Sequence, residues 1–84
     1  MADNQRAARR MSMNLKGCVS VAGQPPIPCV VQDMSLWGVR LRLVGVERVP
    51  PKFTLTIDAV EKAIDCETVW RNADEIGALT DLMA

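Results

Sequence analysis

The chain has 84 residues, ten basic side chains against ten acidic ones, no histidine and 49% hydrophobic residues. A chain this short forms one domain with a thin core, burying only about 60–65% of the surface its unfolded state exposes. Its hydrophobic share excludes a disordered chain, no apolar run reaches the roughly 20 residues that span a bilayer, and zero net charge gives no global field for nucleic acid or membrane.

The opening, MADNQRAARRMSMNLK, is basic but lacks the apolar core of a secretory signal. A faint likeness to a mitochondrial transit segment is broken by the early Asp3 and by the absence of a Ser-rich tail. Charge is uneven along the chain. Arg6, Arg9, Arg10 and Lys16 gather at the front, and Asp58, Glu61, Asp65, Glu67, Asp74, Glu75 and Asp81 towards the back. A basic tip on a neutral body suits a compact anion better than a long polyanion. Cys18, Cys29 and Cys66 include no CxxC pair, and without histidine a zinc site is not expected. They read as small buried hydrophobes in a reducing, cytoplasmic setting. No cofactor or metal is expected.

Taken in chain order, the elements are strands. Met11, Met13, Leu15, Val19 and Val21 alternate with polar or small residues, which is the period of a strand with one buried face. Gly23-Gln24-Pro25-Pro26 ends it, and Ile27–Gln32 reads as a second short strand. Trp37, Val39, Leu41 and Leu43 alternate with Gly38, Arg40 and Arg42 as a third. Val44–Pro51 reads as a loop, and Phe53, Leu55 and Ile57 mark a fourth strand rich in β-formers. Ile64, Cys66, Thr68 and Trp70 mark a fifth, Asn72-Ala73-Asp74 a tight turn, and Ile76–Leu82 a weaker sixth. In this phasing Trp37 and Trp70 both belong to the core, with a stacking surface the alternative for Trp37. Strands at this spacing predict a small all-β antiparallel barrel or sandwich, residues 11–84, behind an N-terminal arm of residues 1–10.

Two clusters carry chemistry. Arg6 and Arg10 are four residues apart with Arg9 between them, and two guanidiniums at that spacing can close on one compact anion. A solvated basic tail is the plainer reading. Asp33, Ser35 and Gly38 form DxSxxG between strands two and three. The plainer reading there is an Asx or Ser turn with Gly38 at a bulge. The alternative is a guanine site, with a carboxylate accepting from the N1 and N2 edge, an added hydroxyl contact, and a glycine that lets a ligand approach.

In order, RxxxR (Arg6, Arg10) and then DxSxxG (Asp33, Ser35, Gly38) resemble the PilZ domain, a family of bacterial cyclic di-GMP receptors. MSMNLKGCVSV resembles the family's first strand, DMSLWGVRLRL its second motif and following strand, and CETVWRNADEIGALT its closing hairpin. The resemblance implies a six-stranded antiparallel barrel beside a flexible switch segment. It implies that Arg6 and Arg10 grip phosphates and guanine faces while Asp33, Ser35 and Gly38 line the guanine pocket. Arg9, Arg40 and Trp37 are possible further contacts. Gln5 stands where many members carry another arginine, which leaves one bound ligand or a stacked pair open. The family's C-terminal helix is expected to be a short stub or missing.

The expected function is therefore a stand-alone cyclic di-GMP receptor and adaptor whose ligand orders the arm and alters a surface for an effector protein. The second expectation is a PilZ-like interaction module that works without nucleotide. An enzyme is not expected, since no nucleophile–base pair or metal cluster is in view. Nor is a nucleic acid polymer, because the chain offers no row of aromatics along a basic groove, and no membrane insertion is expected.

Overall fold

Six alternating segments become six strands in the structure, a computed structural model that describes residues 11–80 and the side chains of residues 13–80. They are β1 (Met11–Ser20), β2 (Ile27–Met34), β3 (Gly38–Arg42), β4 (Lys52–Ile57), β5 (Lys62–Arg71) and β6 (Glu75–Thr80). All neighbours are antiparallel, and the sheet closes as a barrel in the order β1-β2-β3-β6-β5-β4. Closure leaves few backbone edges for a thin core to protect.

Inward positions make the core: Val19, Val31, Leu41, Leu55 and Ile76 are fully buried, with Phe53, Ile57 and Ile64 packed among them. Met13 and Met34 pack against this cluster from its margin, filling space as flexible side chains do. The barrel closes between β1 and β4 through only four registered pairs, Gly17 to Ser20 against Thr54 to Ile57. The approach is tight there: a Cβ on Gly17 would lie 2.5 Å from the Thr56 carbonyl oxygen.

The β3–β4 connection holds more structure than its glycine and prolines suggest. Gly45 adopts a left-handed conformation (φ 90°), and a single 3-10 turn follows over Val46–Arg48. Val46 and Val49 are buried, so the loop caps the core rather than skirting it. Arg71 Nη1 donates to the Val46 carbonyl at 2.8 Å, and Thr68 Oγ1 to that of Pro50 at 3.2 Å, tying the loop to β5. The Asn72 turn forms as expected, its side-chain oxygen accepting from the backbone N–H of Asp74 and Glu75.

Two expectations about the core are corrected. Trp37 is 58% exposed and Trp70 43% exposed. β3 begins only at Gly38, so Trp37 lies in the preceding bend and its alternation with Val39 and Leu41 has no structural meaning. In β5 the pairing with β6 shifts register between Thr68 and Trp70, leaving Val69 as the bulged residue. A bulge resets the side-chain phase, so Trp70 falls out of step with buried Ile64 and Cys66 and lies on the outer face. The strand limits also move. β2 runs to Met34, two residues past the expected end, and β6 is described from Glu75 to Thr80. The expected arm of residues 1–10 and any C-terminal stub lie outside the described residues. No described helix is long and apolar enough to cross a membrane.

Cys29 and Cys66 are buried and Cys18 half-buried, and all three are free thiols. Burial pushes both Cys29 and Cys66 from the usual 9.0 up to about 12, with neighbouring charge at Asp58 or Asp65 adding to the effect. Thiolate is the reactive form. The folded protein is expected to react at Cys18 alone with a thiol reagent at pH 8, and at all three cysteines once denatured. Because the folded state holds these two protons more tightly than the unfolded chain, their contribution to stability is complete below about pH 9. It is lost as pH rises towards 12, so the melting temperature falls across that interval.

Candidate nucleotide-binding face

The DxSxxG segment occupies the end of β2 and the turn into β3, and its backbone geometry is a serine-stabilised turn. The Ser35 N–H donates to the Gly38 carbonyl at 2.9 Å. Ser35 Oγ in turn accepts from the N–H of Trp37 at 3.2 Å and of Gly38 at 3.3 Å. A serine hydroxyl has two lone pairs and one proton, so neither bond uses its own hydrogen, which can still be donated to a ligand acceptor. Gly38 is not at a bulge. It pairs in regular register with Leu79, and a Cβ there would lie 2.8 Å from the Ala78 carbonyl oxygen. Its first demand is thus the close approach of β6.

The irregularity sits three residues before Ser35. Pairing of β2 with β3 shifts between Val31 and Asp33, with Gln32 as the extra residue. Asp33 is thereby set directly opposite Arg40, where two side chains of an antiparallel pair share a face. Arg40 Nη2 lies 2.8 Å from Asp33 Oδ2, and the Asp33 side chain is only 5% exposed. Asp33 is the one charged residue buried among the described residues. A carboxylate so enclosed persists only with a cation or hydrogen bonds beside it. Arg40 Nε is shut off from solvent and has no partner among the described residues. Leaving such a donor unmade costs about 1–3 kcal/mol.

Register extends this pair into a row across the outer face. Asp33 faces Arg40, Arg40 faces Gly77, and Gly77 faces Trp70. The indole of Trp70 lies over the bare Cα of Gly77, so close that no Cβ fits beneath it. Trp70 was missed as a surface residue because only the Val69 bulge turns it outward. Beside this row, Gln32 donates from its amide nitrogen to Glu75 Oε2 at 2.6 Å and accepts from Arg42 Nε and Nη2 at 3.2 Å, with the amide turned to suit both. Arg42 Nη2 stands 3.6 Å from Glu75 Oε2. This network braces β2, β3 and β6 alongside the row.

β1 enters at the same place. Met11 pairs with Met34 and Ser12 with Asp33. Arg10 is therefore two residues along the chain from the residue opposite Asp33, although Arg6, Arg9 and Arg10 themselves lie outside the described residues. The structure thus brings Asp33, Ser35, Gly38 and Arg40 together at the barrel end where the arginine-bearing segment joins. Trp37 stands exposed beside them, its carbonyl accepting from the Thr80 N–H at 3.1 Å. A groove of about 720 Å³ between Ser20, Lys52, Phe53, Glu67 and Thr80 includes none of the motif's residues. No group of three His, Cys, Asp or Glu among the described residues is placed to hold a metal.

Comparison with known proteins agrees with this geometry. No curated protein matches the chain. The family model of the PilZ domain matches residues 4–82, from just before Arg6 to beyond the end of β6. With a closed six-stranded antiparallel barrel that carries DxSxxG where β1 begins, the chain belongs to the PilZ domain family.

Proposed function

We propose that this domain is a cyclic di-GMP receptor that acts as an adaptor, with Asp33, Ser35 and Gly38 meeting a guanine and Arg6 and Arg10 gripping phosphate and guanine faces. Arg9 lends positive charge. The observation that carries the reading is the register Ser12 to Asp33. It sets the start of β1, the strand that RxxxR leads into, opposite the first residue of DxSxxG, more than twenty residues away in sequence. Asp33 accepts from the N1 and N2 edge of guanine, and the Ser35 hydroxyl hydrogen supplies a donor. Trp70, held flat by Gly77, is a ring on which a base stacks.

Binding at this edge changes what the surface offers to a protein. Leu36, Trp37 and Leu79 are exposed around the motif, with Leu79 paired to Gly38, and exposed apolar side chains grouped in this way suit a partner. The same patch is the observation that favours the second reading, a module that holds its effector without nucleotide. Both readings are those of a receptor or adaptor rather than an enzyme. A ¹⁵N correlation spectrum recorded with and without cyclic di-GMP tests the assignment. Amide shifts are expected to concentrate at residues 33–40 and around Gly77, with the β4–β5 hairpin unmoved. Shifts confined to the groove near Phe53, or no saturable shifts, would contradict it.

A further inference from the structure

We propose that Arg40 is a positioning residue, aiming the Asp33 carboxylate so that the site prefers guanine over adenine. The proposal rests on the cyclic di-GMP reading above and assigns Arg40 a role distinct from gripping the ligand. Its guanidinium reaches Asp33 across the strand pair at 2.8 Å, from a side chain that remains 42% exposed. Two features favour aiming over gripping. Arg40 Nε is closed to solvent, so that edge of the guanidinium is not presented to an incoming nucleotide. On its other flank Arg40 faces Gly77, above which the Trp70 ring already sits. The guanidinium is therefore hemmed on the β6 side and extends towards β2.

An ionised carboxylate has about four acceptor positions, so the bond from Arg40 orients the group and does not by itself fill it. The N1–H and N2–H of guanine donate to such an acceptor. Adenine instead presents the N1 lone pair at the equivalent edge and meets the carboxylate as acceptor against acceptor. A fixed carboxylate makes that mismatch unavoidable, whereas a rotating one evades it, and selectivity of this kind comes from the repulsive contact as much as the attractive one.

The test titrates the full chain with cyclic di-GMP and with cyclic di-AMP, as wild type, R40M, R40K, D33N and the R40M/D33N double variant. R40M is expected to weaken cyclic di-GMP binding about tenfold or more and to narrow its preference over cyclic di-AMP. R40K keeps a cation opposite Asp33 and is expected to keep the preference. In the D33N background, R40M should change affinity by less than about twofold, because Arg40 acts through the carboxylate. An equal loss in both backgrounds, or a guanine preference undiminished in R40M, overturns the proposal and leaves the receptor reading standing. Thermal melts establish that each variant folds. If R40M does not melt cooperatively, R40K decides: a wild-type preference supports the proposal, and a collapsed one overturns it. If wild type itself fails to saturate with cyclic di-GMP, the receptor reading falls and this proposal with it.

Discussion

Leu55→Ala is expected to destabilise the domain by about 2–5 kcal/mol, the range for truncating a fully buried leucine. Leu55 has no solvent exposure and stands between Val19 on β1 and Ile64 on β5. It thus lies on the seam where four registered pairs close the barrel. A domain of this length has roughly 4–13 kcal/mol in all, so the loss takes a large share of it. Truncation leaves a cavity at a seam that only four backbone pairs hold closed. Circular dichroism melts should show a fall of roughly 10–25 °C. Leu79→Ala, on the exposed outer face, serves as the comparison and should stay within about 0.5 kcal/mol of wild type. Equal effects for the two substitutions would mean that the barrel does not depend on its inward face.

The second large effect concerns binding. Arg10→Ala is expected to weaken cyclic di-GMP binding by about 10- to 150-fold, since hydrogen bonds to charged groups contribute about 1.5–3 kcal/mol and each 1.4 kcal/mol is tenfold. The argument starts from register rather than from the arginine itself: Ser12 lies opposite Asp33, so the chain reaches the motif within two residues of Arg10. Arg6→Ala should show a loss of the same order, being one RxxxR spacing away. Lysine at either position should restore only part of the affinity, because an ammonium cannot make the planar two-pronged contact that a guanidinium makes with phosphate. Arg48→Ala, in the exposed turn after β3, controls for net charge and should leave binding unchanged. Equal losses at Arg10 and Arg48, measured by titration at one fixed salt concentration, would reduce the effect to overall charge.

Much of the barrel is legible in the sequence because a strand's period of two survives in single-chain patterning. Met13 to Val19, Val39 to Leu43 and Phe53 to Ile57 all announce their faces. What the pattern hides is where that period breaks. A bulge is a tertiary event: the extra residue at Val69 carries no mark in ETVWRN, yet it moves Trp70 from core to surface. Trp37 misled for a related reason. It keeps the phase of β3 but precedes the strand, where the Ser35 turn sets the backbone instead. The buried turn of Val46 and Val49 did leave a trace in its three-residue apolar spacing, which Gly45 and Pro50-Pro51 masked as an ordinary loop.

The site divides along the same line. Asp33, Ser35 and Gly38 can be picked out as a motif, and Arg40 as a neighbour. Their geometry depends on the Gln32 bulge, which brings Asp33 opposite Arg40 although seven positions separate them in the chain. Side-chain type gave the chemistry, and register gave the arrangement. Two roles changed in consequence. Ser35 builds the turn with its lone pairs while keeping its proton for another partner, and Gly38 makes room for β6 before it makes room for any ligand.

The most direct test of the account is an isothermal titration of the full chain with cyclic di-GMP, beside GTP and cyclic GMP as controls. Saturable binding at micromolar concentration or tighter, absent or far weaker for both controls, is the predicted result. No heat and no saturation with cyclic di-GMP, or equal binding of GTP, would contradict it.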